Sequence, residues 1–415
     1  MIKLYDANYI YTAADKSMRS SKFKYGTQNF RMHQLTETSA LQKELKSGTY
    51  EPQEGVKFPI KERGNDRFIT SDKMRDKAVT HLICDEYVDP SISKYLIYDN
   101  SASQKGKGIG HYRKRFDVHL KRYIKEHGTD GWILFMDYSG FYPNLHHDIC
   151  IDTLEKFIRR KFGDTEETAA VMVVIRKLFK KFEKDVSRFT DEEIEQMYRT
   201  KISPTMNMDV DPKLMTGEKY LRKGVDIGNQ LSQDVGILVP YLVDNYVTIV
   251  RGCRYYGRYT DDSRIIHQSK EFLMDVFKGI QEIAEQCGLI INKKKTKIVK
   301  LSRFFRHLQI GYFPTETGKI YKRISPKTLK RERDRLKAHK RQMDIGKIPY
   351  STVEDCFKSW IGTQWKYMSR RQISNMGELY KSLFGRLPKW KKKHSRLRWL
   401  MAHPMKDASR MEVTT

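Results

Sequence analysis

The apolar run Trp132-Ile133-Leu134-Phe135-Met136 ends abruptly in Asp137. Its length is that of a strand and it does not alternate, so it predicts a buried core strand that delivers one carboxylate to a site at its end. Downstream, Tyr255 to His267 passes from aromatic to apolar positions through Tyr259-Thr260-Asp261-Asp262, the pattern of a β-hairpin with two carboxylates at its tip. Between these two elements, Gly224 and Gly228 precede a largely apolar stretch from Val235 to Val247. That stretch predicts a helix in spite of Pro240, with Ser232 at its start and glycines that let backbone approach a ligand. Apolar spacing also predicts helices over 151–162, 165–182 and 190–199, the last with Thr190-Asp191-Glu192-Glu193 as a capped start. Residues 202–212 break the pattern, and their carboxylates read as loop residues. Toward the N-terminus, 56–70 alternates as strands do and 71–87 is helical. Before them only 38–46 reads as a short helix, with 16–22 as a loop. After residue 326 the chain is helical and basic. Residues 328–343 carry seven Lys or Arg, 353–368 is amphipathic around Phe357, Trp360, Ile361 and Trp365, and 390–399 sets basic residues between tryptophans.

An Asp-Asp pair in a turn is ordinarily an acidic surface turn, because Asp is a favoured turn residue. The strand ending in Asp137 changes that reading, since a buried carboxylate needs a partner such as a cation. Asp137, Asp261 and Asp262 together would supply a carboxylate clamp for paired divalent ions, which hold the attacking and leaving oxygens of a phosphoryl transfer. His146-His147-Asp148 has no metal-ligand spacing and reads as surface residues at a helix start. The five cysteines are scattered, with no Cys-x-x-Cys pair, and read as buried small residues rather than a disulfide framework or zinc site.

Charge adds a partner. Lys and Arg number 79 against 51 acidic residues, a formal net charge of +28, which attracts a phosphate backbone and makes binding salt-dependent. No apolar stretch approaches the roughly 20 residues that span a bilayer. The N-terminus lacks a signal-peptide core, and a cytoplasmic location is expected. Between 99 and 126, glycine alternates with basic and aromatic residues. Lys105 and Lys107, with Arg113 and Arg115 on the following helix, are expected to hold a nucleic-acid template through its phosphates.

With these motifs in order, residues 55–325 resemble the reverse transcriptase family. Asp137 with Phe141 and Tyr142 resembles the first palm motif, Ile227 to Gln233 the second, and Tyr259 to Asp262 the third. Gly288 to Lys297 is similar to the fourth, and Leu308 to Tyr312 to the fifth, the primer-grip hairpin. The second motif and the block from Asn100 to Gly108 are in the style of bacterial enzymes related to group II introns, diversity-generating retroelements and defence systems. The resemblance implies an α+β right-hand polymerase fold: an N-terminal extension (1–54), fingers (55–130), a palm (131–325) with a helical insertion at about 151–222, a basic helical thumb and C-terminal region (326–405), and a disordered tail (406–415).

It further implies RNA-templated DNA synthesis with two Mg2+ ions on Asp137 and Asp261, Asp262 in support. Tyr142 would be the steric gate against a ribose 2′-OH. Arg67, Ile227, Gly228, Gln233 and Lys295 would meet the dNTP, although three consecutive lysines, 293 to 295, leave open which one neutralises pyrophosphate. Lys391 and Lys392 would contact RNA. Ile227 stands where many retroviral-type members carry Gln, which predicts relaxed base-pair control. No maturase segment follows, so a stand-alone enzyme is expected. Its template would be a dedicated non-coding RNA in anti-phage defence, with a diversity-generating or group II-type enzyme as the alternative and a non-catalytic RNA-binding scaffold as the different-class alternative.

Overall fold

The computed structural model describes the chain except residues 1, 63–64, 204, 208–209, 391–394 and 404–415, together with the side chains of 61–67 and 395. The predicted tail at 406–415 and the candidate contacts Lys391 and Lys392 therefore lie outside the described residues, as does the side chain of Arg67. The chain forms two compact units, one of residues 1–123 and 131–298, the other of 124–130 and 299–415.

The first unit opens with helices α1 (Ala7–Met18), α2 (Tyr25–Met32) and α3 (Gln34–Ser47). Only the third was expected. The segment read as a loop from Lys16 begins inside α1, whose buried face is Ile10, Ala13, Ala14, Ser17 and Met18. That spacing is helical, but small residues make most of it, so its apolar signal is weak. The Asp6 carboxylate caps α1 by accepting from Asn8 N at 2.7 Å. A hairpin follows, β1 (Val56–Glu62) against β2 (Asn65–Ser71), then α4 (Met74–Ile83), α5 (Asp89–Ile92) and α6 (Ile109–His127).

Strand β3 (Trp132–Met136) then enters the core, followed by α7 (Phe141–Asn144), α8 (His147–Phe162) and α9 (Glu166–Lys180). The short strands β4 (Lys184–Asp185) and β5 (Tyr220–Leu221) pair around α10 (Asp191–Arg199). Thr190 and Glu193 close the expected capping box on α10. Next come α11 (Gln230–Leu238), α12 (Tyr241–Asn245), β6 (Tyr256–Tyr259), β7 (Asp262–His267), α13 (Lys270–Gln286) and β8 (Lys297–Lys300). The predicted helix over 235–247 is divided at Pro240, which cannot donate to the preceding turn. The sheet order is β6-β7-β3-β8, and Ile133 to Met136 are buried between flanking layers. Four cysteines are buried and Cys356 is half-buried, all free.

His147 corrects one expectation. It starts α8 as predicted, but it is fully buried rather than on the surface. Its Nε2 lies 2.8 Å from the carbonyl of Gly224, just ahead of the second motif. Burial pushes its pKa down to about 4 from an ordinary 6.5. The folded state therefore binds fewer protons than the unfolded state between these values, and stability falls as pH drops from 6.5 to 4. The loss should be about 3 kcal/mol, at about 1.4 kcal/mol for each tenfold change in proton affinity. Denaturant titrations of wild type and His147→Gln at pH 7 and pH 4.5 would check it: the variant should show a clearly smaller pH dependence.

In the second unit, β9 (Phe305–His307), β10 (Ile310–Pro314) and β11 (Ile320–Ile324) form a sheet in the order β11-β10-β9. Leu308 and Gln309 form the tight turn between the first two, both with left-handed φ, +46° and +70°. Helices α14 (Pro326–Asp344), α15 (Tyr350–Gln364), α16 (Arg370–Phe384) and α17 (Ser395–Ala402) follow. Leu336, Val353, Phe357, Ile361, Ile373, Met376 and Tyr380 make a core of their own. Strands β9–β11 thus belong to the same compact unit as the basic helices, and the boundary between the two units falls at 298.

Candidate active site

Strands β3 and β7 are antiparallel, with Met136 opposite Ser263. Continuing that register by one residue sets Asp137 across from Asp262, a cross-strand spacing of about 5 Å between Cα atoms. Like charges directly opposite are unfavourable unless compensated. The compensation comes from the fourth motif. Lys295 Nζ lies 2.8 Å from Asp137 Oδ2 and Asn292 Nδ2 lies 3.0 Å from Asp137 Oδ1. The backbone supports this docking, with Asn292 N donating to the Asp137 carbonyl at 2.8 Å and Ser139 N to that of Ile290 at 2.7 Å. Burial lowers the Lys295 pKa, but the Asp137 hydrogen bond and the charges of Asp137, Asp261 and Asp262 outweigh it and hold the ammonium above its usual range. Of the three consecutive lysines, the fold brings Lys295 to the carboxylates.

The hairpin tip is Thr260-Asp261, closed by the Tyr259–Asp262 pair. Thr260 has φ +55°, a conformation that a β-branched residue adopts only under constraint. The constraint lies beneath the turn. Arg258, fully buried, donates to Asp244 through Nε at 2.9 Å and Nη2 at 2.6 Å, to the Ile237 carbonyl at 2.8 Å and to the Thr260 carbonyl at 3.1 Å. The hydroxyl of Tyr256 completes the cluster at 2.6 Å from Asp244 Oδ1. This scaffold was not anticipated from the sequence. The one available signal is that Tyr256 and Arg258 share a strand face while Asp244 interrupts an apolar helix.

Tyr142 is half-buried on α7, and burial, with Asp261 nearby, pushes its phenol up to about 12. Its ring packs on α11 at Gly236, where a Cβ would come within 2.9 Å of Tyr142 Cε1. The helix itself starts one turn earlier than Ser232: Asn229 is the cap, its Oδ1 accepting from Leu231 N at 2.9 Å. Gly228 has φ +105° and faces Ile69 and Thr70 of β2. Ile227 is half-buried beside it and Gln233 is exposed. The backbone of Arg67 pairs with Ile60 on the same hairpin.

The basic block divides. Arg115 is turned to Asp99, with Nε 2.5 Å from Oδ1 and Nη2 3.1 Å from Oδ2, and His119 joins at 3.2 Å. Burial alone would raise the Asp99 pKa, but these partners hold the carboxyl well below the usual range. Arg115 is thus committed within the protein rather than presented to a template. Arg113 is half-buried two residues before it, Lys107 is half-buried against the carbonyls of Tyr98 and Asn100 at 2.9 and 3.0 Å, and Lys105 is exposed.

Among the described residues, no group of three or more His, Cys, Asp or Glu stands together as a ready-made ion site. The donor set nonetheless fits a hard divalent cation. It is all carboxylate oxygen, and the chain's own ammonium already occupies the field of the three aspartates. Because the Lys295 side chain is 64% exposed, it has room to swing away when another cation arrives.

Residues 59–312 match the model of the reverse transcriptase (RNA-dependent DNA polymerase) family, and the chain belongs to that family. Its α+β fold is accordingly that of the right-hand polymerases. No curated protein matches it in sequence. Solved structures similar to it include telomerase from Candida albicans with a fragment of telomeric RNA, at 12% identity and a TM-score of 0.43 over 86% of this chain and 65% of that one. Another is apo telomerase from Candida tropicalis, at 11% identity and 0.41 over 67% and 58%. The chain thus spans less than two thirds of the length of either. No described helix is long and apolar enough to cross a membrane.

Proposed function

We propose that this protein synthesises DNA on an RNA template. The observation that carries the reading is the β3–β7 register, which sets Asp137 across from Asp262, with Asp261 in the adjoining turn and Lys295 in the field of all three. Asp137 and Asp261 would hold two Mg2+ ions, with Asp262 beside them, and such ions lower the barrier by neutralising charge on the attacking and leaving oxygens. Lys295 would then turn to the triphosphate and neutralise the departing pyrophosphate. Gly228 and Gln233 would lie along the incoming nucleotide, and Ile227, offering no hydrogen bond, would leave base-pair geometry less tightly held. Tyr142, fixed between α7 and Gly236, would meet the sugar and exclude a 2′-OH.

Tyr142→Ala should raise rNTP incorporation relative to dNTP by about tenfold or more. Gly236→Ala, which must displace the ring, should move the ratio in the same direction by less. Single-nucleotide extension on an RNA template measures both, and unchanged ratios would make Tyr142 a packing residue.

The finer setting we propose is a dedicated non-coding RNA as template, in anti-phage defence. The N-terminal helices and the α8–α10 insertion favour it over a diversity-generating element or a group II intron. Sequencing the RNA and cDNA that copurify with the protein tests this. One abundant RNA with matching cDNA supports it, variable-region cDNA favours the diversity-generating reading, and RNA without cDNA favours a scaffold.

A further inference from the structure

The segment between α9 and the second motif encloses a small core of its own, Val186, Ile202 and Leu221, around α10 and the β4–β5 pair. The chain leaves it through Arg222 to Val225, and that strip runs antiparallel beside α7 and the start of α8. His147 N donates to the Arg222 carbonyl at 3.0 Å, Gly224 N to that of Leu145 at 2.8 Å and Val225 N to that of Tyr142 at 3.0 Å. The strip therefore fixes α7, and with it the backbone that carries Tyr142. The approach is close enough to require glycine: Gly224 has φ +92°, and a Cβ there would stand 2.9 Å from the Pro143 carbonyl oxygen.

Lys223, in the middle of this strip, is fully buried. Its Nζ donates to the carbonyls of Met197, Tyr198 and Thr200, each at 2.9 Å. These carbonyls close the last turn of α10, where no later helical amide can satisfy them. An ammonium has three protons and no lone pair, so three acceptors use it completely, and its charge complements the negative end of the helix. Among the described residues, the charged group acting on it is another cation, Lys184. A methionine would fill the same space without the cost of burying a charge. What the ammonium adds is direction, because it holds the strip at one place on the end of α10.

We propose that Lys223 is a positioning residue for sugar selection: by tethering residues 222–225 to the end of α10, it holds α7 where the Tyr142 ring meets the 2′ position of the incoming nucleotide. Gly236 of α11 backs the same ring from its own side. The inserted segment thus acts on substrate choice without touching the substrate. The inference rests on the polymerase reading and on Tyr142 as the gate.

The tether is also sensitive to pH. Burial, with Lys184 beside it, pulls the Lys223 pKa down to about 8. Above that pH the amine keeps two protons for three carbonyls, and one bond of the tether is lost. Of the other charged groups around it, Lys184 is itself lowered by burial, and His146 is lowered by burial and by Lys223. Arg222 is paired with Asp148 at 2.9 Å and Glu183 at 3.5 Å, Arg199 with Glu195 at 2.5 Å, and Lys201 lies over Gly140.

The test is the ratio of rNTP to dNTP incorporation in single-nucleotide extension on RNA, in which effects on folding, RNA affinity or primer attack common to both sugars cancel. Lys223→Met should raise the ratio about three- to fivefold, short of Tyr142→Ala because the ring is displaced rather than removed. In the wild type the ratio should rise by a similar factor between pH 7 and pH 9, and in Lys223→Met it should be flat. The wild-type profile needs no variant and decides even if Lys223→Met fails to fold. A flat wild-type profile, or a folded Lys223→Met protein with the wild-type ratio, would overturn the positioning role. A pH dependence that persists in Lys223→Met would overturn it as well, in favour of Lys184 or another group. Tyr142→Ala measured alongside separates this inference from the reading beneath it. A ratio that moves in Tyr142→Ala but not in Lys223→Met removes the tether alone, an unmoved ratio in Tyr142→Ala removes the gate, and a wild type that extends no primer removes the polymerase.

Discussion

Asp261→Ala combined with Asp262→Ala is expected to reduce primer extension on RNA by at least about a thousandfold, since two carboxylates holding transition-state cations supply several kcal/mol. RNA affinity should stay within about twofold. The hairpin tip lies between β6 and β7 of the four-stranded sheet, whereas the basic side chains that would meet phosphates lie on other segments, around Lys105 and along α14. Folding should survive as well, because both aspartates are only half-buried. Relieving the repulsion between Asp262 and Asp137 opposes any loss of stability. Extension rates with saturating dNTP, set beside filter binding of the same RNA, separate the two effects. A double variant that still extends at near wild-type rate would remove the three aspartates from the mechanism.

The strand ending in Asp137 and the hairpin ending in Asp261-Asp262 were legible because each states its period without ambiguity. One is an unbroken apolar run, and the other is two strand patterns around a turn. The capping box at Thr190 was legible for the same reason, as its meaning is local. What stayed hidden depends on contacts across the chain. Three lysines in a row are equivalent until the fold docks Asn292 and Lys295 on Asp137, 158 residues away for the lysine. Arg115 has the sequence of a phosphate contact, yet Asp99 engages it. Helix α1 was missed because alanine and serine can fill a buried face against α4 without raising its hydropathy. His147 is polar by composition but sits neutral in the core on one carbonyl, a placement that no spacing rule encodes.

The buried cluster under the hairpin turn has the second large expected effect. Arg258→Ala would leave Asp244 as an uncompensated buried charge, and breaking such a pair typically costs roughly 3 to 5 kcal/mol. That loss alone would not separate a structural role from a positioning one, so the informative variant replaces both partners, Arg258→Met with Asp244→Leu. An apolar pair of similar volume should regain most of the stability, because two charges no longer need to be desolvated. Activity should not return with it. The Thr260 carbonyl would lose its donor, and a left-handed threonine stores about 1 to 3 kcal/mol of strain that only its surroundings hold in place. Released, the turn would relax and carry Asp261 away from Asp137. A displacement of about 1 Å costs on the order of a hundredfold in kcat. The KM for dNTP should change little, since Tyr142 and Gly228 are carried by other segments. Thermal melts establish that the double variant is folded, and steady-state extension then gives kcat and KM separately. Recovered stability with wild-type kcat would reduce Arg258 and Asp244 to core packing. Recovered stability with kcat still depressed and KM unchanged would identify them as the residues that aim the catalytic turn.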